Sequence, residues 1–306
     1  MSEKNEPIAI IGMGCRFPGG SNNPEQFWNN IKNGKDSITE IPKDRWSINR
    51  YYDTYNKKRG KTRAKWGGFL DKVAEFDAEF FGISPREASL LDPQQRLLLE
   101  VTHEAIEDAG LPTENLAGRN VGVFIGAFTL DWKLLQFTES NRRGIDSHSA
   151  TGSMMTLLSN RISYAFDLKG PSLSVDTACS ASLVALHLAC QSILQNESSM
   201  AIVGGVNVML KPEYFIAESK AGMLSPDGRS KTYDSRANGY VRGEGAGVII
   251  LKPLSQAIAD GDHIHSLIRA SGSNQDGHTS SITVPNGQAQ EDLMRNTYEK
   301  KQYFTF

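Results

Sequence analysis

One stretch of this 306-residue chain combines residue types and spacing that can do covalent chemistry. It reads Gly170-Pro-Ser-Leu-Ser-Val-Asp-Thr-Ala-Cys179-Ser-Ala-Ser-Leu-Val-Ala-Leu-His-Leu-Ala-Cys190, a run suited to a strand, a turn of small residues and then a helix. Cys179 falls at the turn, where the helix begins. The unpaired N–H groups and partial positive charge of a helix N-terminus favour a thiolate at such a place. Ala178, Ser180 and Ala181 leave room for a substrate carbonyl, and backbone N–H groups there can supply part of an oxyanion hole. That is the logic of covalent acyl transfer. A free cysteine can also be no more than a small buried hydrophobe, and the segment alone leaves both readings open.

Helix geometry narrows the partners of this sulfur. Cys190 lies eleven positions on, about 16 Å along a helix axis at ~1.5 Å per residue. A disulfide needs Cα atoms within ~7 Å, so the two cannot pair while that helix exists. His187 lies eight positions on, about 12 Å away and rotated off the cysteine's face. It is not the cysteine's base.

The elements that must hold this segment alternate between strand and helix. Ile8 to Ile11 reads as a buried strand ending at Gly12, and Pro24 to Lys32 as a short helix. A long polar loop with scattered aromatics follows, from Asp36 to about Gly68. Asp92 and Pro93 announce another helix, on which Leu98, Val101, Ala105 and Ala109 share one apolar face before Gly110 stops it. Val121–Ile125 and Ser172–Val175 read as strands, with an amphipathic helix marked by Met154, Leu158, Ile162 and Ala165 between them. Beyond the Ser180–Leu194 helix come strands at Ala201–Val203, Val248–Leu251 and His265–Ala270, and a last helix over Gln288–Glu299. Such alternation argues for a layered α/β fold.

Composition excludes several classes of function. Lys plus Arg total 33 against 35 Asp plus Glu, a formal charge of -2, so bulk charge gives no argument for nucleic acid or an anionic membrane. No apolar run approaches the ~20 residues of a membrane span, and the N-terminus lacks the shape of a secretory signal. Three cysteines form no disulfide framework and fit a reducing, cytoplasmic setting. No Cys/His/Asp/Glu spacing suggests a metal.

Further motifs carry a resemblance. They are Ile8-Ala-Ile-Ile-Gly-Met-Gly-Cys-Arg-Phe-Pro-Gly19, Trp66-Gly-Gly-Phe69, Phe76-Asp-Ala-Glu-Phe-Phe-Gly-Ile-Ser-Pro-Arg86 and Leu91-Asp-Pro-Gln-Gln-Arg-Leu97. After Val175-Asp-Thr-Ala-Cys-Ser-Ala-Ser182 come Gly239-Tyr-Val-Arg-Gly-Glu-Gly245, Ser273-Asn-Gln-Asp-Gly277 and Pro285-Asn-Gly287. In this order the chain resembles the ketosynthase domain of modular type I polyketide synthases, and more distantly that of animal-type fatty acid synthases.

The resemblance implies a thiolase-like layered αβαβα fold, normally a homodimer. Residues 7–254 would form the N-terminal half, with the nucleophile, and 255–306 the start of a C-terminal half that is mostly missing. It also implies that Cys179 is the nucleophile. The cysteine would take an acyl group from the phosphopantetheine arm of an acyl carrier protein, with no cofactor bound directly. A malonyl-type extender would then decarboxylate and attack the thioester in a Claisen condensation. The family completes its site with two histidines and a lysine. Neither histidine segment, His-Gly-Thr-Gly-Thr or Asn-Ile-Gly-His, occurs here, and His103, His148, His187, His263, His265 and His278 sit in other contexts. The expectation is therefore a β-ketoacyl synthase piece that cannot condense by itself. The alternatives are a non-catalytic fragment that dimerises or binds carriers, and another thiolase-like acyltransferase.

The remaining signals read more plainly. Gly12-Met-Gly14 invites a dinucleotide reading, but Phe17 stands where the third glycine belongs, and a tight strand-to-loop turn is preferred. The basic run Lys57, Lys58, Arg59, Lys61, Arg63, Lys65 reads as a solvated loop, with docking of an acidic carrier protein as the functional alternative. His263 and His265 are expected to face solvent, and Met154 and Met155 to fill core. Asn238 and Ser230, where the family commonly has Asp and Cys, read as tolerated loop variation.

Overall fold

The structure, a computed structural model, describes residues 6–299. Its strands are β1 (Ile8–Arg16), β2 (Ile38–Glu40), β3 (Trp66–Gly68), β4 (Val121–Gly126), β5 (Ser172–Val175), β6 (Met200–Asn207), β7 (Gly245–Pro253) and β8 (Ser266–Ile268). Six of them form one sheet in the order β5-β4-β6-β7-β1-β8. The β4 strand pairs in parallel with β5 and β6, while β7 runs antiparallel to β6 and β1, and β8 antiparallel to β1. A small antiparallel pair, β2 with β3, stands apart.

Helices cover both faces, which is why the central strands are apolar without alternation. Successive side chains of a strand point to opposite sides. Val123, Ile125, Ile202 and Ile250 accordingly pack on one side with Leu98, Val101, Ala105 and Ile162. Phe124, Ala201, Val203 and Leu251 pack on the other with Ala185, Ala189 and Ile193. The first side is covered by the Pro93–Asp108 and Leu157–Ala165 helices, the second by the Ala181–Leu194 helix. Fully burying a valine, leucine, isoleucine or phenylalanine side chain among these contributes roughly 1.5–3 kcal/mol.

Local chemistry starts the Pro93–Asp108 helix as its sequence suggests. Asp92 Oδ1 accepts from the Gln94 N–H at 2.9 Å, and Pro93 occupies the first turn. The first strand differs from expectation: it continues through Gly12 to Arg16. Its glycines serve packing against that helix. A Cβ on Gly12 would strike the Ala105 carbonyl oxygen, and one on Gly14 would lie 2.6 Å from that of Val101. Gly12-Met-Gly14 is thus mid-strand, and forms neither a phosphate loop nor the tight turn expected.

Two other expectations need correction. Met154 is 49% exposed, because the short Ser149–Ser153 helix ends there in extended backbone and a new helix begins only at Leu157. Met155 does pack against the core. The long loop after Asp36 holds more order than its polarity suggests: β2, β3, a single turn at Ile48–Tyr51, and a small core in which Ile41, Trp46, Ala64 and Phe69 meet Met209, Phe215 and Leu224. No helix among the described residues is long and apolar enough to cross a membrane.

Candidate active site

Cys179 lies where β5 gives way to helix. A single 3-10 turn, Ala178–Ser180, comes first, and the Ala181–Leu194 helix follows directly. The cysteine is exposed, whereas Cys15 and Cys190 are buried. The expected strand, small-residue turn and helix start are therefore all present, with the thiol accessible.

Several interactions fix this corner. Asp176 Oδ1 accepts from the Ala178 N–H at 2.9 Å, and Ser180 Oγ bonds Thr177 O at 2.8 Å and Thr177 Oγ1 at 2.9 Å. The Ser180 N–H goes to the Thr177 carbonyl at 3.3 Å. Among the described residues no hydrogen bond engages the Cys179 N–H, which leaves it available to a substrate oxygen. Ala178 has φ +52°, left-handed backbone that a non-glycine residue adopts at a cost on the order of 1–2 kcal/mol. The strand leading in is braced: Ser172 Oγ meets Ser163 Oγ and Ser174 Oγ meets Ser159 Oγ, both at 2.9 Å.

The helix start is set by glycines in the sheet beneath it. A Cβ on Gly126, at the end of β4, would collide with the backbone N of Ser182. One on Gly205 in β6 would lie 2.8 Å from Ser182 Cβ. The helix can lie this low, directly above the sheet, only because both positions lack side chains.

The Gly239–Gly245 segment is bridged to Leu224 through Tyr240 and to Gly68 through Gly243. Tyr240 has its pKa pushed up to about 12, first by burial, then by Glu218, with the charge of Cys179 among the smaller contributors. Burial also raises Glu218, against the pull of Arg242, whose Nε sits 3.2 Å from Glu218 Oε2. The Arg242 guanidinium lies over the Tyr214 and Phe215 rings at 5.5 and 5.2 Å. Glu244 is a buried hub. Its oxygens receive Arg45 Nε and Nη2 at 3.0 Å each, the Leu70 N–H at 2.8 Å and the Met209 N–H at 3.0 Å. Ser230 Oγ accepts from the Val241 N–H at 3.0 Å, and Asn238 Oδ1 accepts from Ser225 Oγ and Lys231 Nζ, so both substituted positions are built into the loop. The motifs by themselves assign no role to Arg45, Glu218, Tyr240, Arg242 or Glu244.

No histidine among the described residues hydrogen-bonds Cys179. His187 Nδ1 meets Ser271 Oγ at 2.8 Å. His263 and His265 are both exposed, as expected, and at the surface His265 Nε2 bonds Asp108 Oδ2 at 2.9 Å while His263 packs edge-on against it. No cluster of three or more His, Cys, Asp or Glu side chains among the described residues could hold a metal ion.

Residues 5–257 match the family model "Beta-ketoacyl synthase, N-terminal domain". The chain belongs to this family. Ketosynthases of this kind are condensing acyltransferases. The chain is 48% identical over 298 residues to a partially reducing polyketide synthase of Talaromyces stipitatus, covering 97% of this chain and 12% of that protein. It is 50% identical over 292 residues to a phenolphthiocerol/phthiocerol polyketide synthase of Mycobacterium tuberculosis, covering 95% and 13%. Among solved structures it resembles the oxazolomycin ketosynthase domain of Streptomyces albus, with TM-score 0.92 and 39% identity over 97% of this chain and 51% of that one. The ketosynthase from module 6 of the bacillaene synthase of Bacillus subtilis gives 0.86 and 40%, over 97% and 49%. The fold is thus the thiolase-like α/β fold of ketosynthases, and the chain spans about half the length of these solved domains.

Proposed function

We propose that Cys179 is the acyl-accepting nucleophile of a polyketide-type ketosynthase. The observation that carries this is an accessible thiol on a strained turn at the foot of a helix, with small neighbours and an unengaged N–H. In the step proposed, the Cys179 thiolate attacks the carbonyl of an acyl thioester on a carrier's phosphopantetheine. The carbonyl oxygen takes up negative charge that the Cys179 N–H meets. Collapse breaks the old C–S bond and leaves the acyl group on Cys179 and the free thiol on the carrier. A malonyl-type extender on the carrier then loses CO2, and its carbon attacks the Cys179 thioester; the C–S bond to Cys179 breaks, its thiolate leaves, and a 3-oxoacyl chain remains on the carrier. That second step needs proton-handling groups, each worth typically 10²–10⁴-fold, and no histidine among the described residues stands at the sulfur. Residues 7–254 act as the nucleophile-bearing half and 255–306 as the beginning of the second, within a homodimeric, cytoplasmic synthase. The many polyketide synthases among the relatives support polyketide over fatty acid synthesis.

Intact-mass measurement after incubation with an acyl N-acetylcysteamine thioester tests the first step. One acyl group should add to the chain, map to Cys179 and vanish in Cys179→Ala. Burial pushes the Cys15 and Cys190 thiols up to about 11, so neither competes at neutral pH. Labelling spread over all three cysteines, or none on Cys179, sinks the proposal and leaves a non-catalytic carrier-binding role.

A further inference from the structure

At the end of the sheet away from Cys179 lies a cavity that the acyl-transfer chemistry does not use. Its volume is about 480 Å³, within the ~300–1,000 Å³ range of small-ligand sites. It lies where β1 and β6 begin, where β7 ends, and where the Ala181–Leu194 helix ends. At ~1.5 Å of rise per residue, that end of the helix stands about 20 Å from the thiol.

Part of its lining is apolar: Ile8, Ile193 and Met200 are buried there, with Leu194 half-buried beside them. The cations of the lining are Arg119 and Lys252. Lys252, on β7, is 5% exposed, and its Nζ pairs with Asp262 at 2.6 Å and also with Asp260. The two acids differ. The Asp262 side chain is 8% exposed, whereas that of Asp260 is 42% exposed. Arg119 is exposed and forms no ion pair at contact distance among the described residues. Its backbone is fixed, since its carbonyl accepts the Lys169 and Val121 N–H groups at 2.8 and 2.9 Å.

The Asp260 carboxylate shows what this corner holds. It closes the Leu254–Asp260 helix, at the negative end of the helix dipole, where an acid is disfavoured. Cations keep it there: its carboxyl is held below the ordinary range chiefly by Lys252, then by Gln256 and, at longer range, by Arg119. Gln256 Nε2 donates to its Oδ1 at 2.7 Å. A carboxylate partly in water and set against a dipole is one that another carboxylate can replace, with Asp262 left as the fixed counter-charge of Lys252. The other polar groups of the lining are already engaged. Ser198 Oγ meets Ser192 Oγ at 2.8 Å, and Ser199 Oγ donates to the Asn120 carbonyl at 3.0 Å. Glu6 accepts from the Ser255 N–H at the start of the same helix.

We propose that this cavity binds a medium-chain carboxylic acid, its carboxylate meeting Arg119 and Lys252 in place of Asp260 and its chain lying on Ile8, Ile193 and Met200. The inference does not depend on the role of Cys179. Charge-assisted hydrogen bonds from Arg119 and Lys252 select a carboxylate, and the methylenes add affinity in proportion to the apolar area they bury. An alcohol of the same length lacks the charge, and an amine meets charge of its own sign.

The test is equilibrium dialysis of the full chain against radiolabelled octanoate. Octanol and octylamine should compete ~10-fold or more weakly than unlabelled octanoate. Arg119→Gln, at an exposed position, should weaken octanoate binding ~10-fold or more, the loss of a charge-assisted hydrogen bond. Asp260→Asn should tighten it, because the internal competitor loses its charge. Circular dichroism checks that both variants fold. No binding at millimolar octanoate overturns the proposal, and so does equal competition by octanol or octylamine. Unchanged affinity in Arg119→Gln overturns it as well, since the acid then sits on another apolar surface. Binding lost in Cys179→Ala belongs to the thiol and equally overturns it. Unchanged or weaker binding in Asp260→Asn overturns the replacement of Asp260 by the ligand.

Discussion

The Cys179 thiol is exposed among short side chains, whereas Cys15 and Cys190 lie in packed core. Its site was legible from sequence: a cysteine among alanines and serines between a strand and a helix admits few geometries. The surrounding charges were not. Arg45 and Glu244 lie 199 positions apart, and no local pattern links them. Buried carboxyls also carry a prediction. Burial pushes the pKa of Asp92 up to about 6, against a value near 3.8 for a free side chain. The folded state therefore holds this proton more tightly than the unfolded one. Its stabilising contribution is complete below pH ~4 and is lost as pH rises through ~6, on the order of 2–3 kcal/mol in all. Urea denaturation of wild type and Asp92→Asn, which keeps the cap acceptor for Gln94, should show wild type losing ground to the variant between those limits. A difference that stays flat with pH counts against it.

At the scale of elements, those with one strong apolar period were readable: the Pro93–Asp108 helix appears with its cap where its sequence puts it, burying Leu98, Val101 and Ala105 completely. Short helices such as Pro85–Leu90, Asp131–Gln136 and Glu213–Lys220 were not, because one or two turns give too few residues for a stripe to show. Nor could the chain's linear order show why Gly126 and Gly205 are glycines, since that reason is the helix lying on them. Gly126→Val should force the Ala181–Leu194 helix away from the sheet, a packing cost of typically 1–3 kcal/mol. Acylation of Cys179 by a small thioester should fall ~10-fold or more, since misplacement by an ångström can cost 10²-fold. The chain should still fold cooperatively by circular dichroism. Unchanged acylation in a folded variant would refute the claim that this glycine sets the thiol.

Across the whole molecule, the sheet is covered on both faces, but the covering differs. The Ala181–Leu194 helix is rich in leucine and alanine around its circumference; Ala185 and Ala189 meet the sheet, while Leu183 stands 70% exposed on the far side. A helix apolar all round suits burial on every side. The isolated chain should therefore bind anilinonaphthalene sulfonate while folded, and Leu183→Ser should lower that fluorescence. Dye binding that appears only on unfolding excludes this.

The strand order also has a consequence for how the chain is made. Synthesis completes β1 at Arg16, yet its two sheet partners are β7, which starts at Gly245, and β8 beyond it. At roughly 5–20 residues per second, a ribosome delivers the first partner on the order of ten to fifty seconds later. For that interval Ile8, Ala9 and Ile11 have no strand paired on either side, and of their packing partners the Pro93–Asp108 helix is made long before β7. The parallel core of β4, β5 and β6 can assemble meanwhile, so the corner carrying Cys179 takes shape before the beginning of the chain is locked in.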